Sequence, residues 1–357
     1  MNRPKTIAIV CNYALNPNRI GGMDRFYVAY DAQAKALGYK IDWYFSGYTP
    51  FEFYKNLTIY THISIQIEAF FLQSLKDKGL KYDIVVTHFI ALCTPFFKQI
   101  KETGVQQIIA VDHNPRPLDG FPLIKKLKNK LKGVIYSKYI DQFVGVSEYT
   151  KKHILKDYGA FLHKKTKVIY NGIDTTVFKK RIEPNTYKFI VTSHLRLSKG
   201  IQDLLKAVYE LRIELKNSIE IDIYGEGPYE PTLKQLTELY QLTNQVHFKG
   251  SSSELNELLV NYSYLLQPTY MECFSLSILE SLAANVPVIT TTVGGNMEVV
   301  THGENGFIFR PGDINALKTM LQQIMENTIG IQKDTSEMIE TDFNLSLMVD
   351  NHLKLLV

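Results

Sequence analysis

Short apolar runs alternate with helical stretches along this chain, and the alternation starts twice. The first series contains TIAIVCNY (6–13), YDIVVTHF (82–89) and QQIIAVDH (106–113), separated by helical or irregular sequence. Strands that are buried on both faces have this continuous apolar character, and strands that alternate with helices form parallel sheets. The pattern therefore predicts a doubly wound α/β unit.

A polar, proline-containing stretch, KKRIEPNT (179–186), ends the first series, and KFIVTSHL (188–195) begins the second. A chain of 357 residues is also too long for one typical domain and suits two. We predict two Rossmann-like α/β domains that face each other across a ligand-binding cleft. The expected bounds are 1–183 for the N-terminal domain, 184–335 for the second domain and 336–357 for a C-terminal helix.

The three cysteines, Cys11, Cys93 and Cys273, are odd in number and lack the spacing of metal ligands. They favour a reducing compartment over a disulfide scaffold or a zinc site. The start of the chain, MNRPKTIAIVCNY, runs into a strand without the features of a signal peptide. No apolar stretch approaches the roughly 18–20 residues of a membrane span. We therefore expect a cytoplasmic protein.

The charge is divided unevenly between the two halves. Residues up to Glu183 contain 28 basic and 15 acidic side chains, and the rest of the chain contains 12 and 21. The densest basic segment is FPLIKKLKNKLKGVIYSK (121–138), with six lysines and no acid. Its apolar residues recur at helical spacing, which is typical of a helix that lies on anionic lipid. Such a helix would make the protein peripheral at the inner face of the plasma membrane. A core-facing helix with a solvated lysine face explains the pattern equally well, and no nucleic-acid motif accompanies the lysines.

Several polar groups follow strands, where open α/β sheets bind their ligands. Gly21-Gly22 lies between a strand and a helix, so its backbone can approach an anion, although a plain turn is the simpler reading. His113 ends the strand 106–113, a position from which a histidine can contact a ligand, although a structural histidine is the more usual case. Arg196 and Lys199 follow the strand 188–195 and can neutralise a diphosphate, or they can be solvated surface cations.

The stretch MECFSLSILE places Glu272 and Glu280 eight residues apart with no charge between them. Ser277-x-x-Glu280 matches a capping box, in which Glu280 folds back onto backbone N–H groups. If the helix instead begins near Ser275, Glu280 lies one turn further in and is directed to a ligand. Carboxylates accept hydrogen bonds from pairs of sugar hydroxyls, and free N–H groups at 274–276 suit a phosphate.

The chain resembles the large group-1 family of retaining glycosyltransferases with the two-lobed GT-B fold. The resemblance covers most of the chain and is densest from about 188 to 313. Its most diagnostic pattern is Glu-x7-Glu, here MECFSLSILES. Around it, in the family's order, stand VIYNGIDTTVF, HLRLSKG, YGEGPYEPTL, VHFKG, VPVITTTVGGNMEVV and GENGFIF.

The resemblance implies roles for the acidic and helix-start residues of the second domain. Glu280 binds ribose hydroxyls of a nucleoside diphosphate sugar, and Glu272 contacts the transferred sugar. The backbone of Phe274, Ser275 and Leu276 touches sugar hydroxyls and phosphate; at Ser275 many members of the family have glycine.

Further roles follow for the phosphates and for the first domain. Arg196 and Lys199 hold the diphosphate and stabilise it as it leaves, and Arg196 follows the less common of two family spacings. Gly21 and Gly22 approach the donor phosphates. His113 matches the family's N-domain histidine near the reacting centre, where it contacts the sugar's 6-position. The last stretch of the chain packs back onto the N-terminal domain.

The implied activity is transfer of a sugar from a UDP-, GDP- or ADP-sugar to a saccharide or lipid-linked acceptor, with retention and without a metal. Cell-surface polysaccharide synthesis is the expected context. The absence of Asp-x-Asp from the sequence agrees with a metal-independent site. The alternative is a GT-B-type nucleotide-sugar epimerase.

Overall fold

The computed structural model describes residues 3–17, 20–182 and 187–356. The chain forms two compact units: the first contains Met1–Asn171 and Leu345–Val357, and the second contains Gly172–Asn344. The boundary expected after Glu183 lies outside the described residues.

Each unit is built on a parallel sheet. The strands of the first sheet are β1 (Thr6–Ala14), β2 (Lys40–Gly47), β3 (Ile59–Thr61), β4 (Ile84–His88), β5 (Gln107–Asp112), β6 (Gln142–Gly145) and β7 (Thr166–Val168). Their order across the sheet is β3-β2-β1-β4-β5-β6-β7. In the order β10-β9-β8-β11-β12-β13, the second contains β8 (Lys188–Thr192), β9 (Glu220–Tyr224), β10 (Val246–Gly250), β11 (Tyr264–Gln267), β12 (Val288–Thr291) and β13 (Gly306–Phe309).

The α-helices connect these strands. Their bounds are α1 (Gly22–Ala36), α2 (Ile67–Lys78), α3 (Pro95–Glu102), α4 (Leu123–Tyr136), α5 (Glu148–Tyr158), α6 (Ile201–Tyr209), α7 (Ile213–Ser218), α8 (Glu230–Leu239), α9 (Leu255–Leu258), α10 (Leu276–Ala283), α11 (Ile314–Met325), α12 (Glu337–Asp342) and α13 (Leu345–Leu353).

Both sheets reverse their strand order at one place. In the first sheet β1 lies between β2 and β4, and in the second β8 lies between β9 and β11. Loops that leave the two central strands at such a switch point diverge to opposite faces, which opens a crevice at the carboxyl edge. This doubly wound architecture in both units confirms the predicted fold class.

The cores explain why the apolar runs become strands. The residues of β4 are all buried, and α6 buries Ile201, Leu204, Leu205 and Val208, which recur at i, i+3, i+4 and i+7. That spacing places one apolar stripe of the helix against the sheet.

The C-terminal helix α13 belongs to the first unit. It packs against α1, with the His352 ring 5.0 Å from the ring of Phe26. Two side chains bond to the backbone just after it: Tyr39 Oη donates to the carbonyl of Leu356 at 2.9 Å, and Gln107 Nε2 to that of Leu355 at 2.7 Å. The end of the chain is therefore part of the first core.

Candidate functional site

The switch point of the second unit brings together the loop after β8 and the loop after β11. Gly200 ends the first loop in a left-handed conformation with φ of +70°. A Cβ atom there would lie 1.8 Å from the carbonyl oxygen of Pro268, so only glycine allows the loops to approach this closely. Tyr270 N–H adds a hydrogen bond of 2.8 Å to the carbonyl of Ser198.

Lys199 and Glu272 form an ion pair between these loops. Lys199 Nζ donates to Glu272 Oε2 at 2.8 Å, and the side chains are 21% and 13% exposed. The other carboxylate oxygen, Oε1, accepts from the N–H of Cys273 at 3.2 Å. A half-buried cation and a half-buried carboxylate are therefore held side by side, able to bind an anionic and a hydroxyl group on one ligand.

Arg196 lies on the same loop but in a different environment. It precedes the short 3-10 turn Leu197–Lys199 and is exposed. Within the described ranges its guanidinium has no ion-pair partner. Its charge is therefore solvated, whereas that of Lys199 is partly withdrawn from water.

Helix α10 begins at the position that matters for Glu280. Ser275 is its N-cap, and Ser275 Oγ accepts from the N–H of Ile278 at 3.4 Å. Ser277 lies inside the helix, where its Oγ donates to the carbonyl of Thr192 at the end of β8 at 3.1 Å. The capping box of Ser277 and Glu280 is therefore wrong, and Glu280 lies in the second turn of α10 with a half-buried side chain.

A buried polar network selects Ser275 as the cap, and sequence reasoning missed it. Gln267 Nε2, at the end of β11, donates to Ser275 Oγ at 2.5 Å. Thr290 Oγ1 donates to the carbonyl oxygen of Gln267 and itself accepts from Asn296 Nδ2 at 3.0 Å. The polar residues at the ends of the apolar runs YLLQPT and VITTT could have indicated this network in the sequence.

The first unit has a different group at its corresponding position. Gly22 begins α1, and the buried Asp24 carboxylate accepts from the N–H of Gly21 at 3.0 Å. Hydroxyls of Tyr13 and Tyr54 donate to the same carboxylate at 3.0 and 2.7 Å. Burial raises the pKa of Asp24. The Gly21 N–H that we expected near donor phosphates is thus already donated to an acid.

His113 directly follows β5 and is buried. Its Nε2 lies 3.0 Å from Nδ1 of His88, the last residue of β4. The Phe89 ring stacks on the His113 ring with centroids 4.2 Å apart. Burial lowers the pKa of His113 to about 3, and the pKa of His88 falls well below its usual value for the same reason. Sequence reasoning missed His88, although it too is a histidine at the carboxyl end of a strand.

The basic segment 121–138 contains α4, which exposes its apolar residues. Leu123, Ile124, Leu127, Leu131 and Val134 are between 61% and 71% exposed. The buried residues of α4 are Asn129 and Gly133. A Cβ atom on Gly133 would lie 1.9 Å from the carbonyl oxygen of Tyr158 in α5. The core-facing interpretation of this helix is therefore wrong.

One group of potential metal ligands occurs in the described part of the chain, and it lies away from the carboxyl edge. Glu220 and Asp222 of β9 and His247 of β10 have ligand atoms within 4.8 Å of one another. Lys188 Nζ lies 2.8 Å from Glu220, and Lys249 Nζ lies 3.4 Å from Asp222. Lysines already balance these carboxylates. Of the helices in the described ranges, none has the length and apolarity needed to span a bilayer.

Comparison with known proteins finds two family profiles and several similar proteins. The family profile "Glycosyl transferases group 1" matches residues 172–342, and "Glycosyltransferase Family 4" matches 20–177. The N-acetyl-alpha-D-glucosaminyl L-malate synthase of Bacillus anthracis is 29% identical over 46% of this chain and 45% of its own length. The putative colanic acid biosynthesis glycosyltransferase WcaL of Escherichia coli K12 is 28% identical over 48% and 46%. The chain spans about half the length of the curated relatives it matches.

Solved structures match over nearly the whole chain at lower identity. Anabaena Alr3699/HepE, described as a complex with UDP-glucose, gives a TM-score of 0.80 at 17% identity and covers 98% of this chain and 99% of its own. The lipopolysaccharide outer core galactosyltransferase WaaB gives 0.70 at 18% identity, over 98% and 99%. With both sheets and two family profiles in agreement, the chain belongs to the group 1 glycosyltransferases of the GT-B fold.

Proposed function

We propose that this protein is a retaining glycosyltransferase that moves a sugar from a nucleoside diphosphate sugar to a saccharide or lipid-linked acceptor in cell-surface polysaccharide synthesis. The observation that carries the proposal is the 2.8 Å pair of Lys199 and Glu272. A donor of this class joins an anionic diphosphate to a hydroxyl-rich sugar, so it needs a cation and a hydrogen-bond acceptor side by side. The complex of HepE with UDP-glucose supports the donor class, and the assignment of WcaL to colanic acid biosynthesis supports the polysaccharide context.

Lys199 and Glu272 act together in the proposed reaction. Before the donor binds, each neutralises the other. A phosphate that takes over the Lys199 ammonium frees a Glu272 oxygen to accept from a sugar hydroxyl. As the bond between C1 and the phosphate oxygen breaks, negative charge grows on the diphosphate, and the positioned ammonium stabilises it.

Other groups of the second unit complete the donor site. The N-terminus of α10 adds positive potential, because the first N–H groups of a helix have no carbonyl partner within it. Glu280 accepts from the ribose hydroxyls, and Arg196 adds charge in solvent. In this proposal Lys199, Arg196 and the helix stabilise the leaving group without a metal. The acceptor attacks the face that the diphosphate leaves, and a phosphate oxygen takes the acceptor proton.

A donor screen tests the proposal. We expect one of the UDP-, GDP- or ADP-sugars to raise the melting temperature of the full chain, and slow release of its nucleotide to continue in EDTA. A Glu280→Gln variant should lose most of the shift. No shift with any donor, in a protein that melts cooperatively, would overturn the proposal. Interconversion of the donor sugar without acceptor would instead favour the epimerase, and loss of turnover in EDTA would exclude the metal-independent site.

The exposed face of α4 suggests where the acceptor is found. At about 100° per residue, its apolar side chains point away from Asn129 and Gly133, the residues that attach the helix to the unit. Lys125 and Lys128 lie on one flank of the apolar face, and Lys126 and Lys130 lie on the other. All four lysines are exposed.

This arrangement fits an anionic membrane surface. Apolar side chains directed away from the protein enter the lipid, while the lysines on both flanks contact headgroup phosphates. A polyprenyl-linked acceptor is held at such a surface. We therefore propose that the enzyme works as a peripheral protein on the cytoplasmic face of the membrane and meets its acceptor there.

Liposome sedimentation tests the membrane proposal. The wild-type protein should bind phosphatidylglycerol vesicles at low salt more tightly than phosphatidylcholine vesicles. Replacing Lys125, Lys126, Lys128 and Lys130 with glutamine should weaken that binding, because each lysine near the surface contributes about 1 kcal/mol. The same four positions changed to arginine are the matched control and should retain it. Equal binding by the glutamine variant would remove this part of the proposal and leave the donor site untouched.

A further inference from the structure

Two consecutive residues contact the ring of His113: His88 contacts its edge and Phe89 stacks on its face. His88 Nδ1 lies 3.0 Å from His113 Nε2, and the Phe89 ring stacks on the imidazole with an interplanar angle of 18°. His88 ends β4 and His113 follows β5, and these strands pair in parallel with His88 opposite Val111. Adjacent strand ends thus bring the two rings together at the carboxyl edge.

The backbone at this place adopts an uncommon conformation. Phe89 has a φ of +58°, in the left-handed region that a bulky side chain rarely occupies. This turn directs His88 and Phe89 onto one ring although they are consecutive in the chain. Strained residues of this kind concentrate at functional sites, where the surrounding structure holds them.

The bond between the rings also fixes where their protons lie. Both rings are buried, and their lowered pKa values keep them neutral. In a pair of neutral imidazoles, one nitrogen of the contact carries the proton and the other accepts it. The proton on one ring therefore determines the tautomer of the other, and with it whether Nδ1 of His113 donates or accepts.

We propose that His88 is a positioning residue for His113: it holds the ring of His113 in one orientation and one neutral tautomer. The inference rests on the proposed function and on the role that the family resemblance implies for His113, which is contact with the transferred sugar. Under it, His88 touches no substrate and acts through the hydrogen-bonding state of His113. An orienting neighbour of this kind matters because small errors in the placement of a reacting group lower the rate strongly.

Nitrogen NMR of the full chain labelled with ¹⁵N-histidine measures the tautomer directly. The wild-type His113, assigned by its loss in His113→Phe, should give the signals of a single neutral tautomer at pH 7.5. His88→Phe should change them to a mixture or to the other tautomer. His88→Asn, whose amide lies near the position of Nδ1, should retain the wild-type pattern. His352→Phe, which removes a buried histidine of the same cluster, is the matched control and should also retain it.

Donor turnover gives the second readout. His88→Phe should lower kcat by roughly 10- to 100-fold with a small change in KM for the donor, and His88→Asn should recover most of the rate. Unchanged His113 signals in His88→Phe, or equal kcat, would overturn the role of His88. Absence of turnover in the wild-type protein would instead overturn the proposed function, and the NMR result would stand by itself.

Discussion

The carboxyl edges of the two sheets have the same topology and opposite chemistry. In the second unit the switch point holds a charged pair, Lys199 and Glu272, both partly open to solvent. In the first unit it holds neutral histidines and the carboxylate of Asp24, all buried. Both edges are places where a doubly wound sheet binds ligands, so the difference concerns what each can bind.

A charged side chain that remains accessible to solvent can exchange its ion-pair partner for a ligand. A buried side chain whose hydrogen bonds are already made cannot. Lys199 can leave Glu272 for a phosphate. Asp24 already accepts from Gly21 and two tyrosines, so the Gly21 N–H at the start of α1 already has its partner. Under the proposed function, we therefore expect the diphosphate to bind at the carboxyl edge of the second unit.

Removal of the Lys199 ammonium should have the largest effect on donor turnover. We expect Lys199→Ala to lower donor turnover by roughly 100-fold or more, the usual loss when a main transition-state contact is deleted. Circular dichroism and the melting temperature should remain near wild type, since the pair is not deeply buried. Lys234→Ala is the control, because Lys234 also forms an ion pair, 2.7 Å from Glu230, on a helix away from the switch point. Near-normal turnover in folded Lys199→Ala would contradict the assignment of the diphosphate.

The second glutamate of the pattern should come next. Glu280→Gln keeps the shape of the side chain and removes its charge, so hydrogen bonds from a ligand to the carboxylate become neutral and weaker. We expect KM for the donor to rise about tenfold or more, which corresponds to a charged hydrogen bond of about 1.5–3 kcal/mol. Free nucleoside diphosphate should weaken equally in calorimetry. A change in kcat alone would place Glu280 at the reacting centre and not at the ribose.

The fold was largely predictable because strands buried on both faces are continuous apolar runs. YDIVVTHF contains the whole of β4. Strand β3 was missed, since it has three half-buried residues, Ile59–Thr61, too few to show a period. The start of α10 was left open between Ser275 and Ser277, which are equally good caps in a sequence. The choice is made by Gln267, a partner in another strand, which no local pattern reveals.

Whether the apolar face of a helix is buried or exposed could not be predicted from the sequence either. The patterns of α4 and α6 both give one apolar face, yet α6 buries that face and α4 exposes it. Periodicity reports that a face exists, and only the packing of other elements decides what touches it. For α4 the close contact of Gly133 with Tyr158 sets which side faces the unit.

Acid should destabilise the first unit through its buried histidines. Burial lowers the pKa values of His113 and His352 to about 3, whereas in an unfolded chain they are near 6.5. The unfolded state then binds more protons below that pH. The contribution of these histidines to the free energy of unfolding is therefore complete above about pH 6.5. It is lost as the pH falls toward 3, by about 1 kcal/mol per pH unit for each histidine.

Urea unfolding between pH 7 and pH 5 measures this slope. That window lies above the range in which carboxylates take up protons, so histidines dominate it. His352→Phe keeps an aromatic ring against Phe26 and removes one titrating group, and its stability should fall less steeply with acid. An identical slope in the variant would show that His352 does not take up its proton on unfolding.

The smallest effect should come from Arg196. This variant tests whether exposure, and not charge alone, separates Arg196 from Lys199 in the loop after β8. Arg196 is solvated and Lys199 is half-buried, and exposed charges contribute about 0–1 kcal/mol. Arg196→Ala should therefore raise KM for the donor by no more than about fivefold. Because salt screens exposed charges most, that difference should vanish at high ionic strength, whereas the defect of Lys199→Ala should persist. A loss in Arg196→Ala as large as that in Lys199→Ala would mean that the guanidinium folds onto the phosphate when the donor binds.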